Sequence, residues 1–199
     1  MPRVNLLPQK LPRNVADPLG RSVARLGITP NMVSLFGFAG NAFAAWLITR
    51  EALLAAGCVF LFFSALDLVD GAVARATNQA TPFGAVFDAV LDRASEALVL
   101  VACAWYFAAR GEQVQVVLTW AALVGSVSVS YMRARAEMLG LAMRDGFFRR
   151  QERVALVGLG LLFDALAIAI WPLAVLSNLT ALQRLWMVAR AVRSPASPA

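Results

Sequence analysis

The stretch Asp67-Leu-Val-Asp70-Gly71-Ala-Val-Ala74-Arg75, followed by Ala-Thr-Asn-Gln-Ala-Thr81-Pro82-Phe-Gly84-Ala-Val-Phe-Asp88-Ala-Val-Leu-Asp92, decides how this chain is read. Asp67 and Asp70 are three residues apart, and Asp88 and Asp92 four apart, so each pair shares one face of a helix. The link from Ala76 to Pro82 is short and polar, which makes the two helices antiparallel neighbours. Four carboxylates are then aimed into one space. A single charge inside a membrane helix costs at least about 2.5–3.5 kcal/mol, and like charges add repulsion. A divalent cation, or a pair of them, is the simplest compensation. All-oxygen ligation favours Mg²⁺ or Mn²⁺, and two bridged ions form a clamp for phosphate. Gly71, Gly84 and Ala74 let a bulky ligand approach the backbone, and Arg75 can meet phosphate oxygens.

The rest of the chain explains why these charges stand out. Of 199 residues, 60% are hydrophobic, and the mean hydropathy is +0.67, beyond an ordinary soluble domain. The net charge is +6, and Lys10 is the only lysine. In so apolar a chain this excess reads as membrane topology rather than nucleic-acid binding. There is no histidine, so acid–base chemistry falls to carboxylates, tyrosine, arginine-tuned groups or metal-bound species. Cys58 and Cys103 lie in apolar runs without zinc spacing and read as packing residues.

The chain reads as an all-α integral membrane protein with one domain. Residues 1–29 lack the apolar segment of a signal peptide. Asp17-Pro18 opens a short helix, with Leu19, Val23 and Leu26 on one face and Arg21 and Arg25 on another, suited to a membrane surface. Six spans follow, at about 30–49, 52–75, 82–109, 114–138, 154–170 and 172–190, each near the ~20 residues that cross a bilayer. Thr29-Pro30 and Thr81-Pro82 are cap-plus-proline starts. Trp171-Pro172 separates the last two spans, Asp164 lies inside the fifth run with no assigned role, and 191–199 is a flexible tail. Arg50 and Arg110 fall on one side of this plan, and the remaining arginines on the other. That asymmetry predicts a multi-pass cell-membrane protein with both termini and the aspartate stretch cytoplasmic.

The pattern Asp67-x2-Asp70-Gly71-x2-Ala74-Arg75-x8-Gly84-x3-Asp88-x3-Asp92 resembles the full signature of the CDP-alcohol phosphotransferase family. The resemblance covers the whole chain and implies that family's fold: a juxtamembrane helix, six transmembrane helices and a homodimer. It implies two metal ions per site, with Asp67, Asp70 and Asp88 as ligands. It gives Asp92 as ligand or neighbour and as general base, and places Asp70, Gly71 and Arg75 against the nucleotide diphosphate of a CDP-alcohol. Thr29-Pro30-Asn31 with Ser34 resembles the family's nucleotide-contacting Pro-Asn element. Thr81 is placed equally well to cap its helix or to bond nucleotide. Arg93 and Glu96, three apart, read as an intramolecular pair.

The later arginines bear on the acceptor. Ser130-Tyr131-Met132-Arg133-Ala134-Arg135-Ala136-Glu137, then Arg150-Gln151-Glu152-Arg153, and Gln183-Arg184, resemble the actinobacterial phosphatidylinositol-phosphate synthase branch. Arg149 and Gln151 depart from its E-R-P-E-R pattern. The resemblance implies CDP-diacylglycerol as donor and inositol 1-phosphate as acceptor, its phosphate held by Arg133, Arg135, Arg153 and Arg184. Arg184 sits in an apolar helix and needs a partner or an anionic ligand. Arg133 and Arg135, two apart, cannot both face one cavity directly, and Arg133 can instead pair with Glu137. Glycerol 3-phosphate or another alcohol is the alternative acceptor. A divalent-cation transporter is the alternative of another class, though it would spread carboxylates through the membrane depth. Asp92→Asn is expected to abolish CMP release while leaving CDP-lipid binding largely intact; retained turnover would remove Asp92 as the base.

Overall fold

The computed structural model describes residues 29–76, 81–141 and 146–193, with the side chains of 67–76 outside the description. The expected surface helix around Asp17-Pro18 and the tail beyond residue 193 therefore lie outside the described residues. Six helices run up and down: α1 Pro30–Thr49, α2 Leu53–Ala76, α3 Pro82–Ala109, α4 Gln113–Met138, α5 Arg150–Leu162 and α6 Leu166–Arg193. The turns after α1, α3 and α5 gather at one end. The starts of α1, α3 and α5 lie at the other.

Both cap-plus-proline signals work as expected. Thr29 accepts from the Met32 amide at 3.4 Å, and Thr81 from the Gly84 amide at 3.0 Å, each satisfying an otherwise orphaned donor. Helix α5 starts differently, with the Glu152 carboxylate accepting from the Arg149 amide at 2.8 Å.

Small residues set the helix contacts. A Cβ on Gly158 of α5 would stand 2.3 Å from Leu61 of α2, and one on Gly125 of α4 would stand 2.8 Å from Ser177 of α6. Helices this close gain dispersion contacts that lipid cannot displace. Asn178 locks the α4–α6 contact by donating to the Ala121 and Ala174 carbonyls at 2.9 and 2.8 Å. The core, including Ile48, Phe60, Leu100, Phe107, Leu161 and Ile170, lies toward the turn end. Cys103 is buried in it, whereas Cys58 faces outward, contrary to expectation. On a lipid-facing surface an outward thiol loses little, because the surroundings are as apolar as the core. Phe43, Trp105, Trp120 and Leu179 also face outward, a surface suited to hydrocarbon.

The last two spans are divided elsewhere than expected. The break is at residues 163–165, and Pro172 lies inside α6. Phe163 caps α5 through the Leu159 carbonyl, Asp164 takes φ 52°, and the Ala165 amide closes on the Gly160 carbonyl at 2.8 Å. Gly160 allows this reversal, since a Cβ there would stand 2.8 Å from that of Ala169. Asp164 is thus a turn residue and not a charge within a span. Helix α5 has 13 residues, only about 20 Å of helix. By length and composition, α1, α4 and α6 can cross a membrane.

A Cβ on Gly40 would fall 2.0 Å from the Phe63 ring. Gly40→Ala should therefore destabilise the protein by about 1–3 kcal/mol, as overpacking does, measured by thermal unfolding in detergent. An unchanged midpoint would show that the α1–α2 contact yields freely.

Candidate active site

Helices α1 and α3 begin side by side at the end where α2 finishes. Asn31, in the first turn of α1, lies over the first turn of α3: a Cβ on Gly84 would stand 3.2 Å from its Oδ1 and 3.0 Å from Thr81 Oγ1. One turn deeper, the buried Ser34 hydroxyl donates to Asp88 Oδ1 at 3.2 Å. Asn31, Ser34, Thr81, Gly84 and Asp88 thus converge along one seam. Asp88 Oδ2 makes no hydrogen bond or ion pair among the described residues. The next turn of α3 carries Asp92.

Asp92 Oδ1 meets Arg150 Nη2 at 2.9 Å. One turn further in, Glu96 takes Arg153 in a two-point grip, Nε to Oε1 at 2.5 Å and Nη2 to Oε2 at 2.9 Å. Helices α3 and α5 run in the same direction, so Asp92–Arg150 and Glu96–Arg153 form a two-rung ladder. The expected Arg93–Glu96 pair does not form. Arg93 donates to the Ala89 carbonyl of its own helix, because Glu96 is turned inward. Only 2% of the Arg153 side chain and 13% of that of Glu96 are exposed. A buried charge needs a fully satisfied partner, and the planar guanidinium matches both carboxylate oxygens.

Of the four arginines implied for acceptor phosphate, Arg184 is buried on α6. It donates from Nη1 to the Val129 carbonyl at 2.8 Å, while its buried Nε has no hydrogen-bond partner. Gly146 packs against it, a Cβ there falling 3.0 Å from Nη2, and Gln183 accepts from the Phe147 amide at 3.3 Å. Arg133, Arg149 and Arg153 all lie within electrostatic reach of Arg184. Arg133 also pairs with Glu137 at 2.9 Å, as its spacing predicted. Arg135 is exposed, with its guanidinium 5.9 Å from the centre of the Tyr131 ring, on the outer side of α4. Arg133 and Arg153 are thus committed to Glu137 and Glu96 while lying within electrostatic reach of Arg184, and Arg135 stands apart.

Asp67, Asp70, Gly71 and Arg75 lie on the last turns of α2, and their side chains are outside the described residues. Helix α2 ends at Ala76 and α3 begins at Pro82. No cluster of three or more metal-ligating side chains occurs among the described residues. Asp88, with an uncommitted oxygen, fits an all-oxygen site for a hard cation.

Sequence reasoning missed Glu96, Arg150 and Gly146. The four-residue step from Asp92 to Glu96 and the three-residue step from Arg150 to Arg153 were visible as shared faces. Nothing in the one-dimensional pattern said that those faces oppose each other.

Residues 27–193 match the family model for CDP-alcohol phosphatidyltransferase. The phosphatidylinositol phosphate synthase of Mycobacterium tuberculosis is 37% identical over 185 residues, covering 87% of this chain and 85% of that one. The archaetidylinositol phosphate synthase of Pyrococcus horikoshii is 35% identical, covering 89% and 94%. The crystal structure of the mycobacterial synthase with CDP-DAG bound superposes with a TM-score of 0.81, at 36% identity and coverage of 88% and 94%. Its complex with manganese and citrate gives 0.82, at 36% identity and coverage of 91% and 90%.

Glu96→Gln leaves the Arg153 guanidinium buried without its counter-charge. Unfolding in detergent should show a loss of about 3–5 kcal/mol, and Arg153→Met in the same chain should recover most of it. A loss confined to a few tenths would show that water or another group satisfies Arg153.

Proposed function

The chain belongs to the CDP-alcohol phosphatidyltransferase family, and from that membership we propose that it transfers the phosphatidyl group of CDP-diacylglycerol to inositol 1-phosphate, giving phosphatidylinositol phosphate and CMP. The observation that carries the acceptor is Arg184, a buried cation with an unpartnered Nε. It stands close to other arginines at the end of the bundle that also bears Asp88 and Asp92. A desolvated cation of this kind favours an anion strongly, which supports a phosphorylated acceptor. The mycobacterial and archaeal relatives, both named as inositol phosphate synthases, support the inositol.

In this reading Asp67, Asp70, Asp88 and Asp92 hold two Mg²⁺ or Mn²⁺ ions, which when bound stabilise negative charge on the diphosphate. The manganese complex of the mycobacterial relative supports that choice. Asn31, Ser34 and Thr81 line the nucleotide end, with Asp70, Gly71 and Arg75 against the diphosphate. Arg184 holds the acceptor's phosphate, and Arg133 and Arg153 add positive charge around it. Arg135 serves the acceptor only if its side chain turns inward from Tyr131. Asp92 takes the proton from the incoming hydroxyl. The hydroxyl oxygen bonds to the phosphorus that carries the diacylglycerol, and the bond from that phosphorus to CMP breaks. Arg150 orients Asp92 through their ion pair, and the Ser34 hydroxyl orients Asp88.

We further propose six membrane crossings within a single domain spanning 30–190, flanked by the arm 1–29 and the tail 191–199. The active site and both termini are cytoplasmic, and the outward apolar surface supports a homodimer in the cell membrane. The arginine asymmetry supports the orientation, with Arg50 and Arg110 alone at the turn end among the described arginines.

Purified protein with CDP-diacylglycerol and Mg²⁺ should release CMP with inositol 1-phosphate, and not with serine or free inositol. Release with glycerol 3-phosphate alone would reassign the acceptor. Arg184→Ala should raise the acceptor KM by about tenfold or more, the cost of one desolvated charge contact, with the CDP-diacylglycerol KM unchanged.

A further inference from the structure

A cavity lies at the opposite end of the bundle from Asp88 and Asp92, where the α1–α2, α3–α4 and α5–α6 turns meet. Its volume is about 540 Å³, and its lining includes Glu51, Leu54, Tyr106, Arg110, Leu162 and Asp164. One wall is aliphatic and the mouth is charged. Arg110 Nη1 holds Glu51 at 2.9 Å, and its Nε approaches Glu112 at 3.5 Å. Its guanidinium lies 5.0 Å from the centre of the Tyr106 ring. Arg50, the other cation at this end, is turned onto Trp46. Two carboxylates thus engage one guanidinium while Asp164 lines the same cavity, and the mouth favours a cation.

Two groups in it have unused capacity. Tyr106 is only 8% exposed, yet its hydroxyl makes no hydrogen bond among the described residues while it lines the cavity. Buried phenols normally find a partner. Asp164 likewise makes no ion pair or hydrogen bond among the described residues. Arg110 Nη2 makes none either, which leaves a donor for an anionic group beside the cation site.

The backbone gives an independent sign. Four helices are followed, one residue beyond the C-cap, by a residue in left-handed conformation: Glu51 at φ 60°, Gly111 at 75°, Gly140 at 73° and Asp164 at 52°. Glycine is the default there because a Cβ is strained. A Cβ on Gly111 or Gly140 would meet nothing. Both turns that carry a carboxylate in place of glycine line this cavity. Strain retained where glycine would relieve it points to use of the side chain.

We propose that this cavity binds a zwitterionic phosphoammonium group, the head of an aminophospholipid. The primary ammonium pairs with Asp164 and the Tyr106 hydroxyl, the phosphate takes Arg110 Nη2, and the chains follow Leu54 and Leu162. The volume suits such a group. This site is independent of the transfer reaction.

The test uses the full chain in nanodiscs of equal parts phosphatidylethanolamine, phosphatidylcholine and phosphatidylglycerol, with retained lipids counted by native mass spectrometry. Phosphatidylethanolamine should be retained over phosphatidylcholine by roughly fivefold, the yield of one partly exposed ion pair. Asp164→Asn and Asp164→Gly should remove the preference, and Tyr106→Phe should weaken it. Asp164→Gly should unfold no more readily than the parent, since the turn conformation suits glycine, and both Asp164 variants should keep CMP release. A parallel titration with soluble phosphoethanolamine separates the sources. Asp164-dependent binding in either arm supports the site, and binding in the nanodisc arm alone assigns it to membrane lipid. Equal retention of the two lipids with no binding of the soluble compound, or a preference that survives both Asp164 variants, overturns the proposal.

Discussion

A charge left unpaired among apolar helices is costly, and at the carboxylate end the bundle is arranged to avoid that cost. The two rungs Asp92–Arg150 and Glu96–Arg153 join the middle of α3 to the first turn of α5. They set the relative rotation of the two helices, because a planar guanidinium meets both carboxylate oxygens in a narrow range of positions. With α5 set, the 146–149 segment is drawn against α6, and Arg184 stands beneath it. The outer rung belongs to the reacting end and the inner one to the scaffold. One pattern of charge thus serves stability and chemistry in successive turns.

The uneven satisfaction of polar groups separates scaffold from site. Asn178 finds two carbonyls and Arg153 a complete carboxylate. Among the described residues, Arg184 does not have its full set, and Asp88 keeps an oxygen uncommitted. In a membrane bundle such gaps are not filled by bulk water, so they mark where ligands supply the missing contacts. The turn end shows the same contrast on a smaller scale, with Arg110 engaged by Glu51 and Glu112 while Asp164 and the Tyr106 hydroxyl stand open.

Reading the sequence was most reliable where the signal was local. Thr29-Pro30 and Thr81-Pro82 specify helix starts through capping chemistry that needs only three or four residues, and both starts are present. The Arg133–Glu137 pair follows from helical spacing alone. The reading failed where a competing contact came from a distant segment. Arg93–Glu96 lost to Glu96–Arg153, a pair 57 residues apart in sequence. Trp171-Pro172 read as a break, yet the helix continues through it, while Gly160 and the left-handed Asp164 make the reversal about two helical turns earlier.

By itself the sequence determined that the chain is a helical membrane protein of this family, with four aspartates spaced so that each pair shares a helical face. Hydrophobic run length, helical spacing and a short polar link suffice for that, and each is a property of neighbouring residues. Only the tertiary structure decided which arginine answers which acid, which of them stays unsatisfied, and that a second charged cavity forms at the far end. Those outcomes depend on the rotation and depth of helices that meet across the bundle, which packing of small residues such as Gly125 and Gly158 settles and no local pattern records.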